Sequence, residues 1–422
     1  MADGGELTDL AHTLAARYDG LFVDLDGVIY RGDQVIPSMP EVIERLRLSG
    51  SNLLFLTNNS SKTPRQVVDK LASLGIEAGP EEILTSGVAT AAMLEDEGAA
   101  GMSAFVIGEQ GILEALGAIG VRVVEDEPPP ATTDLVIVGW DRSVDYGKLR
   151  TASLLVQAGA RLVATNADSS YPAPDGLWPG AGAILAAVVT TTGAVPTVVG
   201  KPARPLFDAA AKVTGAVHPL VVGDRLDTDV AGAAAMGWDS LLVLSGASAP
   251  HDMLRGPSRP TYVGWDLGAV LQDRPRVVFR TATPSDRPGI ASLLTSAGLR
   301  VDSGLNDPRV LFSMVVGQAD PREQVVATAR LQRAGEHGIL RSVAVRDDLR
   351  TTGIGTLTVA AAIARARDLA LFTVSLFTET AEPFFARLGF RPVDRDALPE
   401  AVDTTTRGGQ DCASAPAMML DL

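Results

Sequence analysis

Soft metal ligands are nearly missing from this chain: 422 residues include one cysteine, Cys412, and four histidines. An intrachain disulfide and a zinc–thiolate cluster are therefore excluded, and the histidines fall at no metal-ligand spacing. One thiol makes a cytoplasmic protein the simplest expectation. Basic residues are also outnumbered, 36 Lys and Arg against 51 Asp and Glu, for a formal net charge of −15. That charge argues against nucleic acid or an anionic membrane as partner, since both require a positive field. An anionic ligand must then be held by a local site, with a metal or a few basic residues overriding the global field. Apolar runs of ~18 or more residues, the length a membrane span needs, are absent. The opening stretch MADGGELTDLAHTLAARYDG carries acidic residues and no uninterrupted apolar core, so it is not expected to be a signal peptide. Internal repeats and low-complexity tracts are absent too.

What is present is the composition of a soluble globular protein, 46% hydrophobic and 21% charged, with 42 glycines for tight turns. The length predicts two or three domains. Short apolar runs alternate with helical patterns: LFVDL, EVIERLRLSG, NLLFLT, PRQVVDKLASLG, EEILTS. This is the rhythm of βαβ units and a parallel sheet. The rhythm returns at TVVGK, PLFDAAAKVTG and LVVGD, and fades after SLLVLSG. Between the two blocks, from about Leu94 to Val195, a further α/β stretch is long enough to form an inserted subdomain. The Pro-, Gly- and Arg-containing segment Gly246 to Arg276 reads as a domain exit and linker.

Two carboxylates interrupt the apolar run LFVDLDGVIY. In a strand, residues i and i+2 share a face, so Asp24 and Asp26 are expected to point together as the chain leaves the sheet for a turn at Gly27. Ligand sites of parallel sheets lie at such carboxyl ends. An isolated D-x-D is as well explained by two solvated turn aspartates. Three more motifs end apolar runs: LLFLTNNSS with Thr57, Asn58 and Asn59; VVGKPARPLF with Lys201; and LVVGDRLDTD with Asp224, Asp227 and Asp229. Taken singly, Thr57 suits a helix cap, Lys201 a solvated lysine, and Asp224 or Asp229 a turn or cap.

Together, in the order DxD, T-N, K, GDxxxxD, these motifs resemble the haloacid dehalogenase superfamily of phosphatases. DLDGVIY, GKP and the long insertion resemble its subgroup with a large α/β cap, which includes p-nitrophenyl phosphatases. The resemblance covers about Tyr18 to Leu271. It implies a Rossmann-like parallel-sheet core with an inserted α/β cap and an aspartyl-phosphate mechanism. Asp24 is then the nucleophile, and Asp26 the acid that protonates the leaving alkoxide and later the base for water. Magnesium is implied at Asp24, Asp224 and the main-chain carbonyl of Asp26, with Asp229 orienting metal-bound water or Lys201. Thr57, Asn58, Asn59 and nearby amides are implied to hold phosphoryl oxygens while Lys201 offsets charge. Asp227 receives no chemical role.

Within the insertion, VATNADSSYPAPDGLWPGAG resembles the family's ATNxD…PGxG segment, a loop reaching back over the active site. Asn166 and Asp168 match it and Tyr171 aligns with the substrate-facing position. Read as structure alone, the first two build a turn and the third is a packed aromatic. Trp140 and Asp141 are expected to be packing and turn residues. The partner implied is a small phosphorylated metabolite. Chains joining this phosphatase to a second domain resemble actinobacterial glycerol 3-phosphate phosphatases, which ranks glycerol 3-phosphate first; phosphoglycolate, pyridoxal phosphate and nucleoside monophosphates follow. Receiver domains of signalling proteins use similar residues, but Asp26 and the cap argue against one. The oligomeric state stays open, a homo-oligomer included.

From Arg276 to Leu422 the chain reads as a separate α+β domain, after a first domain spanning residues 1–272. Arg350-Thr351-Thr352-Gly353-Ile354-Gly355 places glycines and backbone N–H groups at a helix start, a geometry suited to a pyrophosphate. With FTETAEPFFARLGFRPV it resembles the GNAT family of N-acetyltransferases, implying acetyl-CoA or CoA at Arg350, Gly353 and Gly355. Active relatives commonly carry a proton-donating tyrosine where Phe385 stands. Glu379 is expected to be a solvated carboxylate. A cofactor-sensing or structural domain is therefore expected ahead of a CoA-dependent acetyltransferase.

Overall fold

The computed structural model describes residues 13–124, 132–173, 175–248, 260–272, 277–299, 301, 310–317, 325–350, 353–407 and 415–422. Cys412, Thr351, Thr352, the domain start at Arg276, most of the opening stretch and the middle of the linker lie outside these residues. The chain divides into two compact units, residues 1–247 with 265–272, and 248–264 with 273–422.

The first unit begins with β1 (Gly20–Asp24), every residue of which is buried. A short hairpin of β2 (Tyr30–Arg31) and β3 (Gln34–Val35) follows, then β4 (Leu53–Thr57) and β5 (Ile83–Thr85). The inserted cap contributes β6 (Ser103–Ile107), β7 (Arg122–Val123), β8 (Leu135–Val138), β9 (Arg161–Ala164), the hairpin β10 (Ser170–Ala173) with β11 (Gly176–Pro179), and β12 (Thr197–Val198). The chain then returns through β13 (Pro219–Gly223) and β14 (Asp239–Val243). The core strands lie in the order β14-β13-β1-β4-β5, all parallel. Near-continuous apolar runs such as LFV, LLFL and LVV match a sheet covered on both faces. Central β1 ends with its last residue, Asp24, at the carboxyl edge where β4 and β13 also end.

The cap has its own parallel sheet, ordered β12-β9-β8-β6-β7. TVVGK, expected to resume the core, supplies β12 instead: Thr197 and Val198 pair with Val163 and Ala164. A two-residue strand carries no periodicity that would assign it to either sheet, and pairing decides. Cap and core are joined by one apolar cluster in which Phe22, Leu54 and Phe207 of the core meet Ile112, Leu116 and Leu135 of the cap. The amide of Gly111 also donates to Ser61 O of the core at 3.0 Å.

The second unit holds a seven-stranded mixed sheet. In sheet order its strands are Val277–Thr281, Val310–Gly317, Val325–Ala334, His337–Val345, Thr373–Phe377, Ala417–Asp421 and Arg391–Val393. Only His337–Val345 and Thr373–Phe377 pair in parallel, joined by the helix Ile354–Asp368.

Candidate active site

Three carboxylates converge at the carboxyl edge of the core sheet. Ligand oxygens of Asp24, Asp224 and Asp229 all lie within 4.8 Å of one another, and each residue is buried. Lys201 Nζ stands 2.6 Å from Asp24 Oδ1 and 2.6 Å from Asp229 Oδ1. One ammonium among three carboxylates leaves the cluster short of positive charge. Asp224 Oδ2 accepts from the Ala247 amide at 2.5 Å, while its Oδ1 is buried with no hydrogen-bond partner. Oxygen-only donors, excess negative charge and an orphaned carboxylate oxygen fit a hard divalent cation.

The electrostatics follow from this crowding. Burial pushes the Asp24 carboxyl well above the usual range; Lys201 pulls it down, and Asp229 and Asp224 add to the rise. Asp224 is pushed up to about 6 by burial and by the charge of Asp229. For Lys201 burial alone would lower the pKa, but Asp229 and Asp24 outweigh it and hold the lysine above its ordinary value. Asp26 is raised by burial, against the pull of Lys70, Lys201 and Lys62.

Asp24 and Asp26 line one cavity where the chain leaves the sheet. β1 stops at Asp24, and Gly27, at φ +81°, turns the chain so that its amide donates to Tyr30 O at 2.8 Å. Asp229 is delivered by the turn Leu226–Val230, beside Gly223, where a Cβ would overlap its carboxylate. Asp227 faces outward, 70% exposed, and pairs with Arg225.

The residues after β4 join core to cap. Thr57 Oγ1 accepts from the Asn59 amide at 3.1 Å, which leaves its own proton available to a ligand. Asn58 is saturated: its Oδ1 accepts from Lys201 N–H at 2.8 Å, and its Nδ2 donates to Lys201 O at 3.0 Å and to Asp168 Oδ2 at 3.1 Å. Asn166 donates to Asn58 O at 2.6 Å and accepts from the Asp168 amide. Asn59 Oδ1 accepts from the amide and hydroxyl of Ser61. The side-chain amides of Asn58 and Asn166, expected on substrate, are thus engaged in holding Lys201 and the cap loop. Asp168 faces the cavity, its carboxyl raised by burial against the Asn58 hydrogen bond.

The cavity measures about 460 Å³. Its cap wall includes Tyr171, stacked on Trp140 with ring centroids 4.2 Å apart. Trp140 is therefore more than packing: it lines the cavity and donates from Nε1 to Pro179 O. Asp141 is the expected turn residue, bound to Ser143 and Lys148. Sequence reading missed Arg31, Arg225 and the Gly246–Ala247 pair, which also line the cavity. Arg225 adjoins Asp224 in its motif and was within reach; a backbone amide such as that of Ala247 leaves no mark in sequence.

In the second unit Gly353 takes φ +87° and opens the helix Ile354–Asp368, with Gly355 in its first turn. Arg350 is exposed and pairs with Asp347 at 2.7 Å. Phe385 is buried, edge-on to Phe384 and Phe390.

A model of haloacid dehalogenase-like hydrolases matches residues 21–122, and a second model of similar hydrolases matches residues 198–270. The chain is 36% identical over 259 residues to an acid sugar phosphatase of Staphylococcus aureus, covering 61% of this chain and 98% of that protein. The chain belongs to the haloacid dehalogenase-like hydrolases. It is a phosphatase by this relationship. A D-glycerol 3-phosphate phosphatase of Mycobacterium tuberculosis is 37% identical over 266 residues, 62% of this chain and 73% of that protein. A crystal structure of glycerol phosphate phosphatase from the same organism, in complex with magnesium, matches with a TM-score of 0.68 at 29% identity. That match covers 89% of this chain and 98% of the other. An acetyltransferase (GNAT) domain model matches residues 312–392, so this hydrolase carries a second, GNAT-type domain. Among the described residues no helix is long and apolar enough to cross a membrane.

Proposed function

We propose that this hydrolase is a magnesium-dependent phosphomonoesterase working through an aspartyl-phosphate on Asp24, with glycerol 3-phosphate as its preferred substrate. The observation that carries the reading is the buried Asp24–Asp224–Asp229 cluster with Lys201 paired to Asp24. Asp24, Asp224, Asp229 and the carbonyl of Asp26 would hold magnesium, which would supply charge neutralisation for the phosphoryl oxygens when bound. An Asp24 oxygen attacks phosphorus and the P–O bond to the organic half breaks. Asp26 gives its proton to the departing alkoxide, then takes one from the water that cleaves the acyl phosphate, returning Asp24 as carboxylate. Thr57 and Lys201 bind phosphoryl oxygens. Lys201 also holds Asp24 at 2.6 Å in position for attack.

Asp168, Ser170 and Tyr171 give the cap wall polar groups for a hydroxylated leaving group. One face of the Tyr171 ring is covered by Trp140, which supports a small polyol phosphate over a flat aromatic substrate. The names of the relatives support the same class. A phosphate-release screen over glycerol 3-phosphate, sugar phosphates, phosphoglycolate, pyridoxal phosphate and nucleoside monophosphates, with magnesium and with chelator, tests this. Glycerol 3-phosphate is expected to show the highest kcat/KM; absence of metal-dependent release from every compound would refute the proposal. For the second unit, packed Phe385 supports a cofactor-binding or structural role, with CoA at the Gly353 helix start, rather than acetyl transfer.

A further inference from the structure

Asp224 is placed by a loop that sequence reading assigned to the domain exit. After β14 the chain passes through Ser245, Gly246 and Ala247, and the Ala247 amide donates to Asp224 Oδ2 at 2.5 Å. Gly246 packs so tightly that a Cβ there would overlap the Asp224 carboxylate, and a Cβ at Gly27 would meet both Asp224 and Gly246. Ser245 is buried and its hydroxyl donates to Gly27 O at 2.7 Å. The Ser245 carbonyl is held from the β2–β3 hairpin: Arg31 donates to it from Nε at 2.5 Å and also from Nη2. Two donors on one carbonyl anchor the Ser245–Gly246 peptide, which leads directly into the Gly246–Ala247 peptide whose N–H binds Asp224. With Oδ2 captured, Oδ1 is left as the oxygen free to serve a cation.

We infer that Arg31 is a positioning residue for the metal site, acting through Ser245, Gly246 and Ala247 to aim Asp224. The inference rests on the proposed magnesium reading of the Asp24–Asp224–Asp229 cluster. Arg31 touches neither the cluster nor its ligand in this role; it anchors the peptide that precedes the one bonded to Asp224. Outer partners that orient ligating carboxylates commonly govern metal affinity by roughly 10–100-fold.

The test is calorimetric titration of magnesium into the full chain without substrate, comparing wild type, Arg31→Met, Arg31→Lys and the surface control Arg47→Met. Arg31→Met keeps the stem and removes the donors, and its magnesium affinity is expected to fall about tenfold. Arg31→Lys, which restores a donor, is expected to recover much of that loss, and Arg47→Met to match wild type. Circular dichroism establishes that each variant is folded. At saturating magnesium Arg31→Met should regain most of the wild-type kcat. Wild-type affinity in Arg31→Met overturns the inference and leaves the magnesium reading intact. A raised KM for substrate with unchanged magnesium affinity makes Arg31 a substrate contact and also overturns it. If wild type shows no saturable magnesium binding, both readings fall.

Discussion

Two aspartates two residues apart in sequence live in different surroundings. Asp24 ends a strand, is paired to Lys201 and shares a cluster with Asp224 and Asp229; Asp26 lies past the strand end, just before the Gly27 turn, with Lys70 and Lys62 in its field. The nucleophile's role suits the first and proton transfer the second. Asp26→Asn is expected to lower kcat by roughly 10²–10⁴ while magnesium affinity holds, since general acid–base transfer supplies about that much; stopped-flow and steady-state phosphate release measure it. Normal turnover would remove Asp26 from the mechanism. Asp224 makes the metal-free protein sensitive to pH. Its folded pKa of about 6 lies above the unfolded value near 3.9, so the folded state binds more protons between them. The sign follows: stability falls as pH rises through that window, and the loss is complete above about 6. Magnesium favours the ionised form, so the rise in Tm on adding it should be larger at about pH 7.5 than at about pH 5. Differential scanning fluorimetry reads this, and equal rises at both pH values would contradict it.

Elements deliver these residues from four separate stretches. The Asn58 side chain is the connector: it bonds both backbone groups of Lys201 and the Asp168 carboxylate of the cap. Asn58→Ala leaves those groups without their partner, and buried polar groups so stranded cost about 1–3 kcal/mol each. Denaturant melts should show a loss of at least that order, accompanied by a lower kcat/KM as Lys201 shifts. Gly200 is constrained by the same contact, since a Cβ there would crowd Asn58 Oδ1, Thr165 O and Asn166 Cβ. Away from the chemistry, Thr63 caps the helix Pro64–Ser73 with Gln66 completing a capping box. Thr63→Ala is expected to cost about 0.5–2 kcal/mol in the same melts with kcat little changed.

At the scale of the whole molecule, cap and core of the hydrolase unit share one apolar cluster. Ile112 and Leu116 of the cap pack into the cluster that holds Phe22 and Phe207. Water exclusion thus starts from a cap already seated on the core, a different picture from a lid that meets the sheet only through hinges. The acidic balance of −15 also acts globally. The full chain is expected to show no retention on duplex DNA or on anionic phosphatidylserine vesicles at physiological salt, since neither finds a compensating positive field. Saturable binding in co-sedimentation would show a local basic surface that the charge total conceals. In the GNAT-type unit Phe385 offers no proton. Full-length protein mixed with acetyl-CoA and amines should release no free CoA thiol; steady release would give the unit an activity of its own.

The sequence alone determined the class of chemistry and the segments that form the candidate site. Asp24, Lys201 and Asp224 follow apolar runs, with Asp229 in the turn after Asp224, because parallel strands put functional side chains at their carboxyl ends, and that regularity is written along the chain. Both domains were legible for the same reason, since alternating strand and helix patterns are local. Pairing and close approach are not local, and tertiary structure decided them. It moved Thr197–Val198 into the cap sheet, engaged the amides of Asn58 and Asn166 in structure, and stacked Trp140 on Tyr171. It also brought Gly246 and the Ala247 amide to Asp224 from more than twenty residues away, and Arg31 from the other direction to the Ser245 carbonyl beside them. A peptide N–H is the same at every position, so only the fold could show which one would aim a carboxylate.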